Sequence, residues 1–215
     1  MPNRYDNAIF DVDGTLFDSY PGITDCLRHV YETLGAPVPD EKILRTFIGP
    51  SLHDSFARHT DWDEPKIARA IAVYRERYSG GGYKNVEFYP GMRALLADLQ
   101  AAGVTLSIAS SKPYNQLLRV LEYMGVADRF AVVSAPGPAD DNSDKEGLIR
   151  AAVRGERPVM IGDRLYDIMG AERAGVDSIG VTFGFGGRAE LTQYGATYIV
   201  DDASEIYDII IGETK

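Results

Sequence analysis

Asn7-Ala8-Ile9-Phe10-Asp11-Val12-Asp13-Gly14-Thr15 is the stretch on which the reading of this chain turns. A short, mostly apolar run is broken by Asp13-Gly14-Thr15, where turn chemistry takes over, so the stretch predicts a β-strand that ends in two carboxylates spaced Asp-x-Asp. The next strand signal of equal quality, Val104-Thr105-Leu106-Ser107-Ile108-Ala109, lies about 90 residues downstream, whereas a strand-helix-strand unit needs only ~30. Something is inserted between the two strands.

The insertion reads as helices: Pro21 to Leu34, Asp40 to Phe47, Leu52 to His59, and Glu64 to Tyr78, each with apolar residues at helical spacing. Gly80-Gly81-Gly82 and Tyr89-Pro90-Gly91 mark the return to the main domain, since both favour turns. From Gly91 onward helices and strands alternate, with strands expected at 104–109, 131–134, 158–161, 178–182 and 197–200. That alternation predicts an α/β fold with a doubly wound, Rossmann-like parallel sheet covered by helices on both faces. The expected division is a core of residues 1–17 and 84–215 and an inserted helical cap of residues 18–83. In such sheets ligands bind beyond the carboxyl ends of the strands.

Composition narrows the function. The chain has 215 residues, 45% hydrophobic and 25% charged, which is ordinary for a protein with a packed core and excludes collagen-like or disordered classes. Lys plus Arg number 22 against 32 Asp plus Glu, a net charge of −10, so nothing draws the chain to nucleic acid or to an anionic membrane. Metal cations and small molecules are the expected partners, to a monomer or a homodimer. The single cysteine, Cys26, cannot form an internal disulfide and reads as a packed small hydrophobe among Ile23, Leu27, Val30 and Leu34. With no basic start followed by an apolar run, and no apolar stretch near ~20 residues, the expected location is cytoplasmic.

The strand ends carry the chemistry. Asp11, Asp13, Gly14 and Thr15 follow the first strand; Ser110, Ser111 and Lys112 follow the second; Gly162, Asp163, Arg164 and, a turn later, Asp167 follow the fourth; Lys145 opens the helix before it. Four converging carboxylates would drive up one another's pKa values unless cations compensate. Oxygen ligands without a Cys or His cluster favour a hard ion such as Mg²⁺ over zinc. One carboxylate can attack phosphorus while another, two residues on, protonates the leaving oxygen and then activates water. The Gly14-Thr15 turn and nearby backbone N–H groups are expected to approach phosphate oxygens, with Ser110 and Lys145 holding others.

Asp11-Val12-Asp13-Gly14-Thr15-Leu16-Phe17-Asp18-Ser19 resembles the first motif of the haloacid dehalogenase superfamily, in its phosphatase branch with a helical cap inserted after that motif. Ile108-Ala109-Ser110-Ser111-Lys112-Pro113 is similar to the second motif, Lys145 to the third, and Ile161-Gly162-Asp163-Arg164-Leu165-Tyr166-Asp167 to the fourth. Phe47-Ile48-Gly49-Pro50-Ser51-Leu52 and Tyr89-Pro90-Gly91 further resemble phosphoglycolate-phosphatase-like members. The resemblance implies a Mg²⁺-dependent phosphatase of small phosphomonoesters that works through an aspartyl phosphate. It makes Asp11 the nucleophile, Asp13 the general acid and base, Ser110 a phosphate ligand and Lys145 the charge-balancing lysine. It assigns magnesium to Asp11, the backbone carbonyl of Asp13, Asp163 and Asp167.

Substrate contacts are expected from Gly14, Thr15, Ser111, Lys112, from Gly49 in the cap loop, and from Arg45, with His53 as a further reader of the leaving group. Several readings stay open. Lys112 rivals Lys145 for the same pocket, Asp167 could instead pair with Arg164 or Arg173, and Gly184-Phe185-Gly186-Gly187 reads as a plain turn. A sugar phosphomutase uses the same four motifs, and a phospho-acceptor signalling protein gathers similar groups on a parallel sheet. Asp13 and the large cap favour turnover over a lasting phospho-state, and the cap residues by which a mutase would re-orient a bisphosphate intermediate are not recognised here.

Overall fold

The computed structural model describes residues 3–137 and 144–212. The Pro- and Asp-rich stretch 135–144, just before Lys145, falls largely outside the described residues. In chain order the elements are β1 (Asn7–Phe10), β2 (Phe17–Asp18), α1 (Tyr20–Thr33), α2 (Glu41–Arg45), α3 (Leu52–His59), α4 (Glu64–Ser79), β3 (Glu87–Phe88), α5 (Met92–Ala101) and β4 (Thr105–Ala109). There follow α6 (Tyr114–Tyr123), β5 (Val132–Ser134), α7 (Lys145–Ala152), β6 (Pro158–Gly162), α8 (Leu165–Ala174), β7 (Asp177–Val181), α9 (Gly187–Gln193), β8 (Tyr198–Val200) and α10 (Ala203–Ile211).

Six strands form one parallel sheet in the order β5-β4-β1-β6-β7-β8. All four residues of β1 are buried, as both-faced coverage by helices demands. Because the chain runs from β1 to β4 on one side and later to β6 on the other, the order reverses at β1, where such sheets open a ligand crevice. Register places the key residues side by side: Phe10 pairs with Ile108 of β4 and Ile161 of β6, so the chain leaves three adjacent strands at one level.

Helices α1 to α4 lie between β2 and β3, which pair antiparallel through Phe17 with Phe88 and Asp18 with Glu87. This two-stranded crossing was not expected from sequence: two residues per strand are too few to show any periodicity. Helix α9 was also missed, because Gly186-Gly187 at its start carries the signature of a turn. The side chains of Asp40, Ser51 and Asp63 each accept the third following backbone N–H, from Ile43, Asp54 and Lys66, satisfying donors that a helix start leaves open.

The inserted helices have an aromatic centre. Phe56 is fully buried, with ring centroids 5.2 Å from Phe47, 5.5 Å from Trp62 and 6.1 Å from Tyr31. Cys26 is buried in the same body, and burial pushes its thiol up to about 12, which suits an inert packing role. Among the described residues, no helix is long and apolar enough to cross a membrane. Replacing Phe56 by Ala removes the hub of the aromatic cluster, so urea unfolding should show a loss of about 3–5 kcal/mol; a loss below ~1 kcal/mol would mean that the cluster does not hold these helices together.

Candidate active site

The strand ends bring the acidic residues into one crevice. Asp11 follows β1, and its N–H donates to the Ile161 carbonyl at 2.9 Å, which continues the ladder one residue past the strand. Asp163 follows β6, and Asp167 projects from the first turn of α8. Oxygens of Asp11, Asp163 and Asp167 all lie within 4.8 Å of one another, and all three residues are buried.

One ammonium faces this cluster. Lys145 Nζ donates to Asp11 Oδ1 at 2.7 Å, to the Ala109 carbonyl at 2.7 Å and to Asp167 Oδ1 at 2.8 Å. Three donors thus meet three acceptors. Burial lowers the Lys145 pKa, but the facing Asp11 and Asp167 charges outweigh it and hold the group above its ordinary value. Burial pushes the Asp11 carboxyl up to about 7, although Lys145 opposes the rise. Asp163 is raised well above the usual range by burial first and then by Asp167 and Asp11. A single lysine leaves two negative charges uncompensated if all three acids ionise.

Backbone geometry makes this crowding possible. Asp163 Oδ2 accepts the Phe185 N–H at 2.7 Å and Oδ1 accepts the Thr15 hydroxyl at 3.3 Å. A Cβ on Gly14, whose φ is +95°, would lie 2.3 Å from Asp163 Oδ2, and one on Gly162 would lie 2.3 Å from Asp167 Cγ. Neither acid could keep its place beside a larger residue. Asp167 also accepts the Arg164 N–H at 3.0 Å, closing a capping box at the start of α8. The open question over Asp167 is therefore answered by geometry: its charged partner is Lys145, while Arg164 contributes only its backbone N–H.

Asp13 stands apart from the triad. Its Oδ2 accepts from Lys112 Nζ at 2.8 Å, while Oδ1 is buried without a hydrogen-bond partner. Lys112 Nζ also lies 4.7 Å from the ring centre of Tyr78 in α4. The two lysines thus divide the acids between them, Lys145 serving Asp11 and Asp167, Lys112 serving Asp13.

Over these groups lies a cavity of about 120 Å³, floored by Asp11, Asp13, Ser110 and Lys145 and roofed by Gly49, Pro50 and Leu52 of the inserted helices. At ~10–15 Å³ of such volume per water, it has room for a group the size of a phosphoryl. Ser111 and Lys112 also line it. Gly14 and Thr15 do not: their N–H groups donate to the Phe17 and Val12 carbonyls at 2.9 and 3.2 Å. They shape the turn and hold Asp163, so the expected phosphate contacts from these amides are not available in this arrangement. Arg45 does not line the cavity either; its guanidinium lies over the rings of Tyr20 and Phe185 and donates to the Gly184 carbonyl at 3.3 Å. His53 is likewise outside, bonded to Glu64 at 2.9 Å. Sequence reasoning missed Tyr74, Gln116 and Tyr166, which do line the cavity; each sits on an ordinary amphipathic helix with no distinguishing signal. Gly184-Phe185-Gly186 bends as a turn should, yet its Phe185 amide holds an acid of the site.

The donor set suits a hard divalent cation. Three buried carboxylates, two of them raised toward protonation by desolvation, are the arrangement that a bound dication would relieve, and the all-oxygen ligands match Mg²⁺ rather than zinc. Because binding requires ionised carboxylates, and burial raises both Asp11, to about 7, and Asp163, Mg²⁺ affinity measured by calorimetry should rise with pH through about 7. Asp163→Asn should weaken binding at least about tenfold; unchanged affinity in that variant would remove Asp163 from the ligand set.

Comparison with known proteins agrees with this geometry. Residues 8–181 match the family model for haloacid dehalogenase-like hydrolases. The chain is 34% identical to a 5'-nucleotidase of Pseudomonas aeruginosa over 96% of each chain. It is also 34% identical to the tyrosine-protein kinase PtkA of Mycobacterium tuberculosis, covering 94% of this chain and 70% of that one. Among solved structures, a predicted phosphatase from Clostridium acetobutylicum superposes with a TM-score of 0.89 at 36% identity, over 97% of this chain and 99% of the other.

Proposed function

The chain belongs to the haloacid dehalogenase-like hydrolase family, and from that premise we propose that it is a Mg²⁺-dependent phosphatase of small phosphomonoesters, working through an aspartyl phosphate on Asp11. The observation that carries this reading is the pairing of two acids with two different environments, two residues apart. Asp11 is locked by Lys145 beside the acidic cluster, and Asp13 faces the cavity with one oxygen unpartnered.

In the proposed reaction the substrate phosphoryl group rests between Ser110 and Lys145. Asp11 Oδ attacks phosphorus as the ester P–O bond breaks, and Asp13 gives its proton to the departing oxygen. Asp13, now ionised, takes a proton from water; the water oxygen attacks phosphorus, the acyl phosphate bond breaks, and Asp11 and inorganic phosphate are released. Lys112, paired with Asp13 at 2.8 Å, holds that carboxylate oriented through both halves. Magnesium, held by Asp11, Asp163, Asp167 and the backbone carbonyl of Asp13, would offset the repulsion between the acids and a dianionic phosphate.

The inserted helices, proposed as a cap over residues 18–83, would exclude bulk water and limit substrate size. Phosphoglycolate phosphatases such as that of Vibrio parahaemolyticus, 27% identical over 94% of each chain, support a two-carbon substrate within the range. The 5'-nucleotidase relative supports larger ones.

Asp11→Asn preserves shape and removes the nucleophile. Hydrolysis of a chromogenic phosphate ester in Mg²⁺ should fall at least about a thousandfold, with circular dichroism unchanged. Turnover within tenfold of the parent would exclude Asp11 as nucleophile.

A further inference from the structure

A second cleft of about 370 Å³ opens beside the first cavity, between α3 on one wall and the start of α7 and one face of α8 on the other. The two are continuous: Gly49, Pro50, Ser51, Ser111, Lys145 and Tyr166 line both. A molecule whose phosphoryl group sits at Lys145 therefore has a lateral path past Tyr166 that does not require the inserted helices to move.

The charges along this path are uneven. Its acids already have partners: Asp144 accepts the Gly147 N–H at the head of α7, Glu146 accepts from Arg150 Nε at 3.0 Å, and Asp54 lies 3.7 Å from His53. The cations at its far end do not. Arg58, in the last turn of α3, and Arg173, in the last turn of α8, both line the cleft. Neither guanidinium has a hydrogen-bond or ion-pair partner among the described residues. In a chain of net charge −10, two arginines with no partner among the described residues, facing one cleft from two different layers, leave guanidinium donors open to an anion.

We propose that this cleft is a leaving-group subsite for an acidic group: the preferred substrates are phosphomonoesters that carry, several bonds from the ester oxygen, a carboxylate or a second phosphate held by Arg58 and Arg173. The inference rests on the phosphatase reading above and names its substrate class. Guanidinium forks bind either acid through paired charge-assisted hydrogen bonds. One arginine comes from the inserted helices and one from the sheet layer, so a bound acid also ties the two together across the catalytic cavity. A neutral tail of equal length gains none of this.

The test compares three esters of one length with the full-length enzyme in Mg²⁺: 4-hydroxybutyl phosphate, 4-(phosphonooxy)butanoate and butane-1,4-diyl bisphosphate, the last corrected for its two equivalent ends. The parent should favour at least one acid-tailed ester over the neutral one by roughly tenfold in kcat/KM, mostly through KM, and added salt should erode that preference. The two acidic arms distinguish a carboxylate from a phosphate. In the Arg58→Gln, Arg173→Gln double variant the ratio should collapse towards one, and Arg58→Lys, Arg173→Lys should restore part of it. An acid-tail preference that survives the double glutamine variant, or a parent that hydrolyses all three esters equally, would overturn the subsite. Failure of the parent to hydrolyse any ester would overturn the phosphatase reading instead.

Discussion

The three hydrogen bonds of the Lys145 ammonium hold the site together. Asp11, Asp167 and the Ala109 carbonyl reach it from β1, α8 and β4, so one side chain from α7 links three elements that are distant in sequence. Breaking a buried ion pair on one side leaves the other charge stranded, at a cost of ~3–5 kcal/mol, whereas the intact pair contributes little net stability. The network is thus better understood as positional. It fixes the orientation of Asp11 against the electrostatic tendency of three acids to move apart or to take up protons.

That tendency is countered by backbone as well as by charge. Parallel pairing of β1 with β4 and β6 sets three strand ends level. The missing side chains of Gly14 and Gly162 then let Asp163 and Asp167 approach within distances that any Cβ would forbid. The acids are held close by sterics; burial first, and then the charges of neighbouring acids, raise the Asp11 and Asp163 carboxyls. A dication is the simplest agent that removes this penalty without moving an atom of the frame.

The sequence made the sheet and the acids legible for the same reason. Buried parallel strands must be apolar throughout, so the abrupt appearance of Asp11 and Asp13 after Ile9-Phe10, and of Asp163 after Met160-Ile161, marks a strand end as well as a cluster of chemistry. Side-chain direction was not legible. Thr15 reads like a phosphate contact, but its hydroxyl turns inward to Asp163. Arg45 reads like a substrate reader, but Tyr20 and Phe185 offer its guanidinium a better surface. Tyr166 and Arg173 lie on an ordinary amphipathic helix, and only the packing of α3 against the loop ends gives them a common cleft with Arg58. Motifs record what the backbone must do locally; selectivity arises where two layers meet, and no local pattern encodes that meeting.

One contact joins the two layers at the chemistry itself. Lys112 lies on the sheet side, donates to Asp13 and places its ammonium 4.7 Å from the Tyr78 ring of α4. A cation over an aromatic face is attracted most strongly where water is excluded, and Lys112 is almost wholly buried. The ammonium therefore has its full interaction only when α4 is in place, and without Tyr78 it would regain water and loosen its hold on Asp13. The position of the inserted helices is in this way felt at the proposed acid and base, through a single side chain, while Asp11 and its Lys145 anchor are held within the main layer, by β4, α7 and α8.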